Sequence, residues 1–138
     1  LPFTVARTIR FQHCDPAGIV FYPRWFEMMN ASVEDWMASM DRPFDKMHGP
    51  DAHGVPMAGL SIDFKAPARL GEVIDFVITP QHIGRSSARL RIVASGGGVV
   101  RFDCTATIVW LSLGTMKTDP WPDDLRDNMT ACMEGPMP

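Results

Sequence analysis

The sequence predicts an α+β fold in which one curved antiparallel sheet of about five strands wraps a long central helix. Three observations carry that prediction. A stretch from residue 23 to about residue 40 repeats its large apolar side chains at the helical period and is apolar around most of its circumference. Strand-length segments follow one another after residue 55, separated by turns too short for a parallel crossover. One further alternating segment stands ahead of the helix.

The first segment, residues 3–11, places Phe3, Val5, Ile9 and Phe11 on one face and Thr4, Arg10 and Gln12 on the other, with Arg7 breaking the apolar side. This is the alternation of a half-buried strand. In the helix, Phe26, Met29, Val33, Trp36, Met37 and Met40 recur at steps of three and four, and Trp25 and Met28 widen the stripe. Such a helix is one that a sheet must cover. Its polar strip is Glu27, Asn30 and Glu34. Residues 41–59, rich in Pro, Gly, Asp and His, read as a long connection and a candidate lid. Strands are expected at 57–66, 72–82, 87–94 and 99–113, with turns at 67–71, 84–86 and the triple glycine at 96–98. A short helix over 123–129 and a disordered tail after about residue 130 complete the expectation of a single domain over residues 1–138. A sheet with a free edge and little chain left to cover it predicts a homodimer.

Composition narrows the function. The chain has 138 residues, 46% hydrophobic and 21% charged, with a formal net charge of -3 at pH 7, so nothing favours nucleic acid as a partner and an anionic ligand needs a local basic patch. Cys14, Cys104 and Cys132 form no CxxC or Cys/His metal spacing, and the histidines have no zincin-type spacing, so no metal is expected. No apolar run approaches the ~20 residues of a membrane span, and no charged-then-apolar leader pattern is present. The expected location is a reducing cytoplasm, with no membrane partner. No glycine-rich phosphate loop follows a strand, which gives no support to ATP or a dinucleotide.

The chemistry concentrates at Asp15-Pro16-Ala17-Gly18. Pro16 fixes its own φ and Gly18 can take a positive one, so the backbone after Asp15 turns sharply. Tyr22 precedes a proline and Pro23 suits the first helical position, so the helix is expected to start at Pro23. The open N–H groups of that first turn suit a carbonyl oxygen gaining negative charge, and the carboxylate lies within one loop of them. Acyl transfer needs that pair. A plain turn cap is the competing role for Asp15. Cys14 has no identifiable His-Asn partner set and His13, two residues before Asp15, is a tuning group or a structural one. His48 and His53 belong to the long connection. Arg85, Ser87, Arg89 and Arg91 share one side of a turn and its following strand, the right groups for phosphates or a solvated face.

The run His13-Cys14-Asp15-Pro16-Ala17-Gly18-Ile19-Val20-Phe21-Tyr22-Pro23 resembles the signature of the 4-hydroxybenzoyl-CoA thioesterase family of hotdog-fold proteins, and the likeness extends through the helix and more loosely to about Leu113. The resemblance implies a hotdog fold and an acyl-CoA thioesterase that releases a free acid and coenzyme A, with coenzyme A part of the substrate and no bound cofactor. Asp15 then attacks the thioester carbonyl to form an acyl anhydride, or activates a water. The backbone N–H of Tyr22 becomes the oxyanion donor, and His13 and Gly18 fall among the substrate contacts. Arg85, Ser87 and Arg89 stand where the family holds the coenzyme A phosphates. Asn30 occupies a position that carries an aspartate in the 4-hydroxybenzoyl-specific member, so an aromatic or short acyl group is expected rather than that substrate. Glu27 is the reserve carboxylate, since another hotdog lineage uses a helix carboxylate. Dimers or tetramers, with the site at the subunit interface, are implied as well. The alternatives are an acyl-carrier-protein thioester as substrate, or a non-catalytic acyl-CoA-binding protein; the paired His and acidic motif of hotdog dehydratases is absent.

Overall fold

The computed structural model describes residues 1–134. Its chain order is β1 (Phe3–Thr8), a 3-10 turn (Phe11–His13), α1 (Tyr22–Ser39), α2 (Phe44–His48), β2 (His53–Gly54), β3 (Met57–Phe64), β4 (Val73–Ile83), β5 (Ser87–Gly96), β6 (Val99–Val109), β7 (Leu111–Ser112) and α3 (Asp123–Ala131). Five strands form one antiparallel sheet in the order β1-β4-β5-β6-β3, and β2 pairs with β7 beside it. The sheet wraps α1 as its alternation requires. Ile74, Phe76 and Ile78 on β4, Ala88, Leu90 and Ile92 on β5, and Phe102, Cys104, Ala106 and Ile108 on β6 are all buried. Against them lie Trp25, Met28, Met29, Val33, Trp36 and Met37 of α1. Trp25 contacts Phe76 at 6.1 Å and Phe102 at 5.4 Å between ring centroids, tilted and edge-on.

Several expectations are corrected. The first strand stops at Thr8 rather than running to residue 11, because residues 11–13 close into a 3-10 turn; Phe11, expected inside, is 83% exposed. Arg7 stays on the inner side, where its guanidinium bonds the Ser32 hydroxyl at 3.1 Å and pairs with Asp35. The helix begins one residue early, at Tyr22, with Pro23 second. The long connection contains α2, whose Met47 is buried, and β2, which pairs with β7 beyond the last long strand, so the candidate lid is docked on the rest of the chain at both elements. The last long strand ends at Val109. The terminal helix reaches Ala131 with Leu125 and Met129 buried, and the Trp36 indole N–H meets Cys132 Sγ at 3.4 Å. The expected disordered tail falls in part on residues 135–138, which lie outside the described residues.

Two features of the sheet position the site. Its ends differ: one carries the β1–α1 connection, the β3–β4 connection and the β5–β6 turn, and the other carries the β4–β5 turn. The eleven residues of β4 put these ends roughly 35 Å apart. At the first end Gly96 allows a close approach, since a Cβ there would stand 2.8 Å from Val73 O. The second feature is the β3 edge. Leu60 and Phe64 pair with Ala106 and Phe102 and so share their inner face, yet they are 46% and 48% exposed because no strand follows β3.

Candidate active site

The turn after β1 is closed by its own residues. Gly18 N–H donates to Asp15 O at 2.9 Å, with Gly18 at φ +79°, and Asp15 N–H donates to Ile19 O at 3.0 Å. Ala17 N–H donates to Asp15 Oδ1 at 2.9 Å, an Asx turn that orients the carboxylate. Asp15 Oδ1 therefore caps the turn, and Oδ2 has no hydrogen-bond partner among the described residues. Asp15 lines a cavity of about 410 Å³ walled by Phe11, Cys14, Pro16, Gly18 and Leu70. Cys14 shares it, with Sγ 3.6 Å from Arg10 O.

The helix start follows within the same loop. Phe21 N–H donates to His13 O at 2.9 Å and Arg24 N–H returns to Phe21 O at 2.8 Å, whereas Tyr22 N–H meets no acceptor among the described residues. No side chain caps this end and its first turn holds no acidic residue, so its partial positive charge is unopposed from within the turn. Beside it runs an apolar groove of about 620 Å³ between Ile19, Tyr22, Trp25, Phe64 and Pro67. A carboxylate oxygen and an open helix start thus border adjoining cavities that share the Asp15–Val20 turn.

The other expected site residues lie elsewhere. His13 Nδ1 accepts Arg10 N–H at 2.8 Å, which closes the 3-10 turn, and the ring lines a separate polar groove with Arg7, Arg10 and Glu27. Burial pushes its pKa below the ordinary value, aided by Arg10, Arg24 and Arg7 and opposed by Glu27. Glu27 pairs with Arg24. Asn30, one turn further along α1, opens instead onto a cleft of about 220 Å³ with Phe44, His48, Val55, Pro56 and Leu111. The polar strip of α1 is therefore divided between two grooves. This cleft was invisible in the sequence because α2 has only five residues and its apolar contacts are long-range.

Arg85, Ser87 and Arg89 sit at the far end of the sheet. The turn is pinned by Trp121, whose backbone N–H donates to Arg85 O at 2.9 Å and whose indole donates to Ser87 O at 3.1 Å. Arg89 is exposed opposite His82, while Arg91 spends its charge on Asp103 at 2.8 and 3.1 Å. Within one chain, strand order separates Arg85 and Arg89 from Asp15 by the length of the sheet.

His53, which the sequence places in the long connection, is a clasp. Its Nε2 meets Asp119 Oδ2 at 2.9 Å, its Nδ1 meets Asp51 O at 2.6 Å, and its ring stacks on Trp110 at 4.6 Å. Both ring nitrogens face acceptors, which favours the doubly protonated cation. Burial lowers its pKa, but the Asp51 carbonyl and the Asp119 carboxylate outweigh it and the net shift is upward from 6.5. A raised folded value means that the clasp contributes fully below the unfolded pKa and is lost as pH rises through the folded one. Melting temperatures between pH 6 and pH 9 are expected to fall with pH in the wild type, and the His53→Asn variant to lose that component of the slope. Parallel curves for the two proteins would remove the clasp as its source.

Comparison with known proteins identifies the family and the fold. The thioesterase superfamily profile matches residues 17–99, more than half of the chain, beginning two residues after Asp15. A 1,4-dihydroxy-2-naphthoyl-CoA hydrolase of Synechocystis sp. is 28% identical over 79 residues, which is 56% of this chain and 57% of that protein, so the match spans little more than half of that relative. A 1,4-dihydroxy-2-naphthoyl-CoA hydrolase of Nostoc punctiforme is 22% identical over 91% of this chain and 84% of its own. The 4-hydroxybenzoyl-CoA thioesterase structure of Pseudomonas sp. strain CBS-3 superposes with a TM-score of 0.84 at 20% identity, covering 92% of this chain and 98% of that one. With a five-stranded sheet around one buried helix and a profile match over most of that framework, the chain belongs to the thioesterase superfamily and has its hotdog fold.

Proposed function

We propose that this chain hydrolyses an acyl-CoA thioester, with an aromatic acyl group favoured over a short aliphatic one, and that Asp15 carries the chemistry. The observation that bears most weight is the Asx turn, which leaves one carboxylate oxygen open on the loop leading to an uncapped helix start. The thioester carbonyl oxygen points at Tyr22 N–H, and the helix start stabilises the charge that develops there. In the nucleophilic route an Asp15 oxygen bonds the carbonyl carbon, the C–S bond breaks, coenzyme A leaves as thiolate and takes a proton, and water then splits the mixed anhydride into acid and restored carboxylate. In the general-base route Asp15 takes a proton from water, whose oxygen attacks instead. The relatives that act on a naphthoyl-CoA support the aromatic preference. Asn30, neutral and able both to donate and to accept, suits a ring substituent of an acyl group that extends into its separate cleft better than it suits a bare alkyl chain.

A homodimer across the β3 edge belongs to the same proposal. It covers Leu60 and Phe64, and antiparallel pairing of two β3 strands turns the far end of one sheet toward the Asp15 end of the other. Arg85 and Arg89 of the partner subunit then stand at the end where the nucleotide of coenzyme A emerges. Sedimentation equilibrium is expected to give twice the 15.4 kDa of one chain, and Leu60→Lys with Phe64→Lys to give the monomer. A dimer that survives both changes would place the interface elsewhere.

The function itself is tested by free-thiol release from aryl, short-chain and long-chain acyl-CoA thioesters and from an acyl-carrier-protein thioester. Turnover greatest on an aryl member supports the proposal. Turnover only on a carrier-protein thioester moves the substrate to that class, and binding without turnover on any member makes the chain an acyl-CoA-binding protein.

A further inference from the structure

Arg101 is the one charged side chain buried among the described residues, 7% exposed, and the chemistry above makes no use of it. All five of its N–H donors are taken. Nε donates to Val99 O at 3.2 Å, Nη1 to Pro67 O and to Glu72 Oε2 at 2.9 Å each, and Nη2 to Gly96 O at 2.9 Å and to Glu72 Oε1 at 3.2 Å. Its own carbonyl accepts Lys65 N–H at 2.7 Å and Ala66 N–H at 3.2 Å. One side chain thereby joins the β5–β6 turn, the start of β4 and the connection between β3 and β4.

That connection is what the Asp15 turn rests on. Glu72 Oε2 accepts Arg69 N–H at 2.7 Å as well as Arg101, Arg69 bridges Ile19, and Ala68 O accepts Val20 N–H at 2.9 Å. Ile19 O in turn accepts Asp15 N–H at 3.0 Å. Glu72 O also takes Ile9 N–H at 2.8 Å, just before the turn, and Ile9 O takes Gly71 N–H at 2.9 Å. The same connection supplies walls to both cavities, Leu70 beside Asp15 and Pro67 beside Tyr22. Arg101 is buried but Glu72 is 39% exposed, and an ion pair so placed adds little net stability, so its value here lies in fixing geometry.

We propose that Arg101, acting through Glu72, is a positioning residue that sets the Asp15 turn against the helix start. This rests on Asp15 being the reacting carboxylate. Lysine puts three donors at one point and cannot reach five divergent acceptors, so Arg101→Lys is expected to lower kcat by ~10- to 100-fold through misplacement of the carboxylate. KM on the best acyl-CoA of the panel is expected to stay within about threefold, since the substrate's binding contacts remain. Glu72→Gln, which preserves shape but leaves one acceptor oxygen where there were two, is the second variant should Arg101→Lys not fold, and it is expected to lose kcat in the same direction. Circular dichroism at the assay temperature confirms that each variant is folded.

A merely structural role is separated by combining each change with Asp15→Asn. If Arg101 acts through Asp15, the added change lowers the residual rate by no more than about twofold. A full additional loss in the Asp15→Asn background overturns the positioning role, as does an unchanged kcat in folded Arg101→Lys and Glu72→Gln while Asp15→Asn is inactive. An active Asp15→Asn variant overturns the carboxylate assignment, and the proposal with it.

Discussion

Asp15→Asn is expected to lower kcat by at least ~100-fold, the lower range of what a positioned base or nucleophile supplies, with the fold intact. The asparagine carbonyl still accepts Ala17 N–H, so the Asx turn that orients position 15 survives the change. What is lost is the second oxygen's charge, because an amide neither attacks a thioester nor takes a proton from water at neutral pH. Thiol release on the best panel substrate, beside a thermal melt of the same preparation, checks both halves. A variant that keeps wild-type kcat would move the chemistry to Glu27, the remaining carboxylate of α1 near this end, although its pairing with Arg24 counts against it. Rapid quench followed by mass analysis separates the two routes: acyl mass on the peptide containing Asp15 marks the nucleophile, and its absence under single turnover marks the general base.

Trp25→Ala is expected to cost ~3–5 kcal/mol of stability, the range for removing a large buried aromatic, and to lower the melting temperature by about 10 °C or more. The indole is 4% exposed, sits in the first turn of α1, and touches Phe76 of β4 and Phe102 of β6. It is therefore the contact that seats the helix start on the sheet, and it walls the groove beside Tyr22. Activity is expected to fall even where the variant remains folded, since the N–H that faces the thioester moves with the turn. Trp25→Phe, which keeps an aromatic against the other two rings, is expected to lose less of both. A calorimetric loss under ~1 kcal/mol for the alanine variant would mean that the cavity collapses at little cost and that α1 is seated by other residues.

Both predictions rest on parts of the molecule that the chain announces locally. The sheet strands follow period-two alternation, and the seven buried positions of α1 follow the helical period, so fold class emerged from side-chain order alone. The Asp15 turn was equally legible, because Pro16 and Gly18 impose backbone angles without help from distant residues. Arg101 and Glu72 were not. They are 29 residues apart, and an arginine within a strand carries no local sign that five acceptors will converge on it. The His53 clasp was missed for the same reason, its Asp119 partner being 66 residues away.

By itself, then, the sequence determined the five strands of the large sheet, the buried helix, and that a carboxylate turns immediately before the helix start. Only the tertiary structure decided how those pieces face one another. It sent Asn30 and Glu27 to different grooves, put Arg85 and Arg89 at the opposite end of the sheet from Asp15, and suspended the Asp15 turn from Arg101. The division is physical. Backbone angles and apolar periodicity act over a few residues, whereas strand order and buried hydrogen bonds join residues tens of positions apart and exist only once the chain has closed on itself.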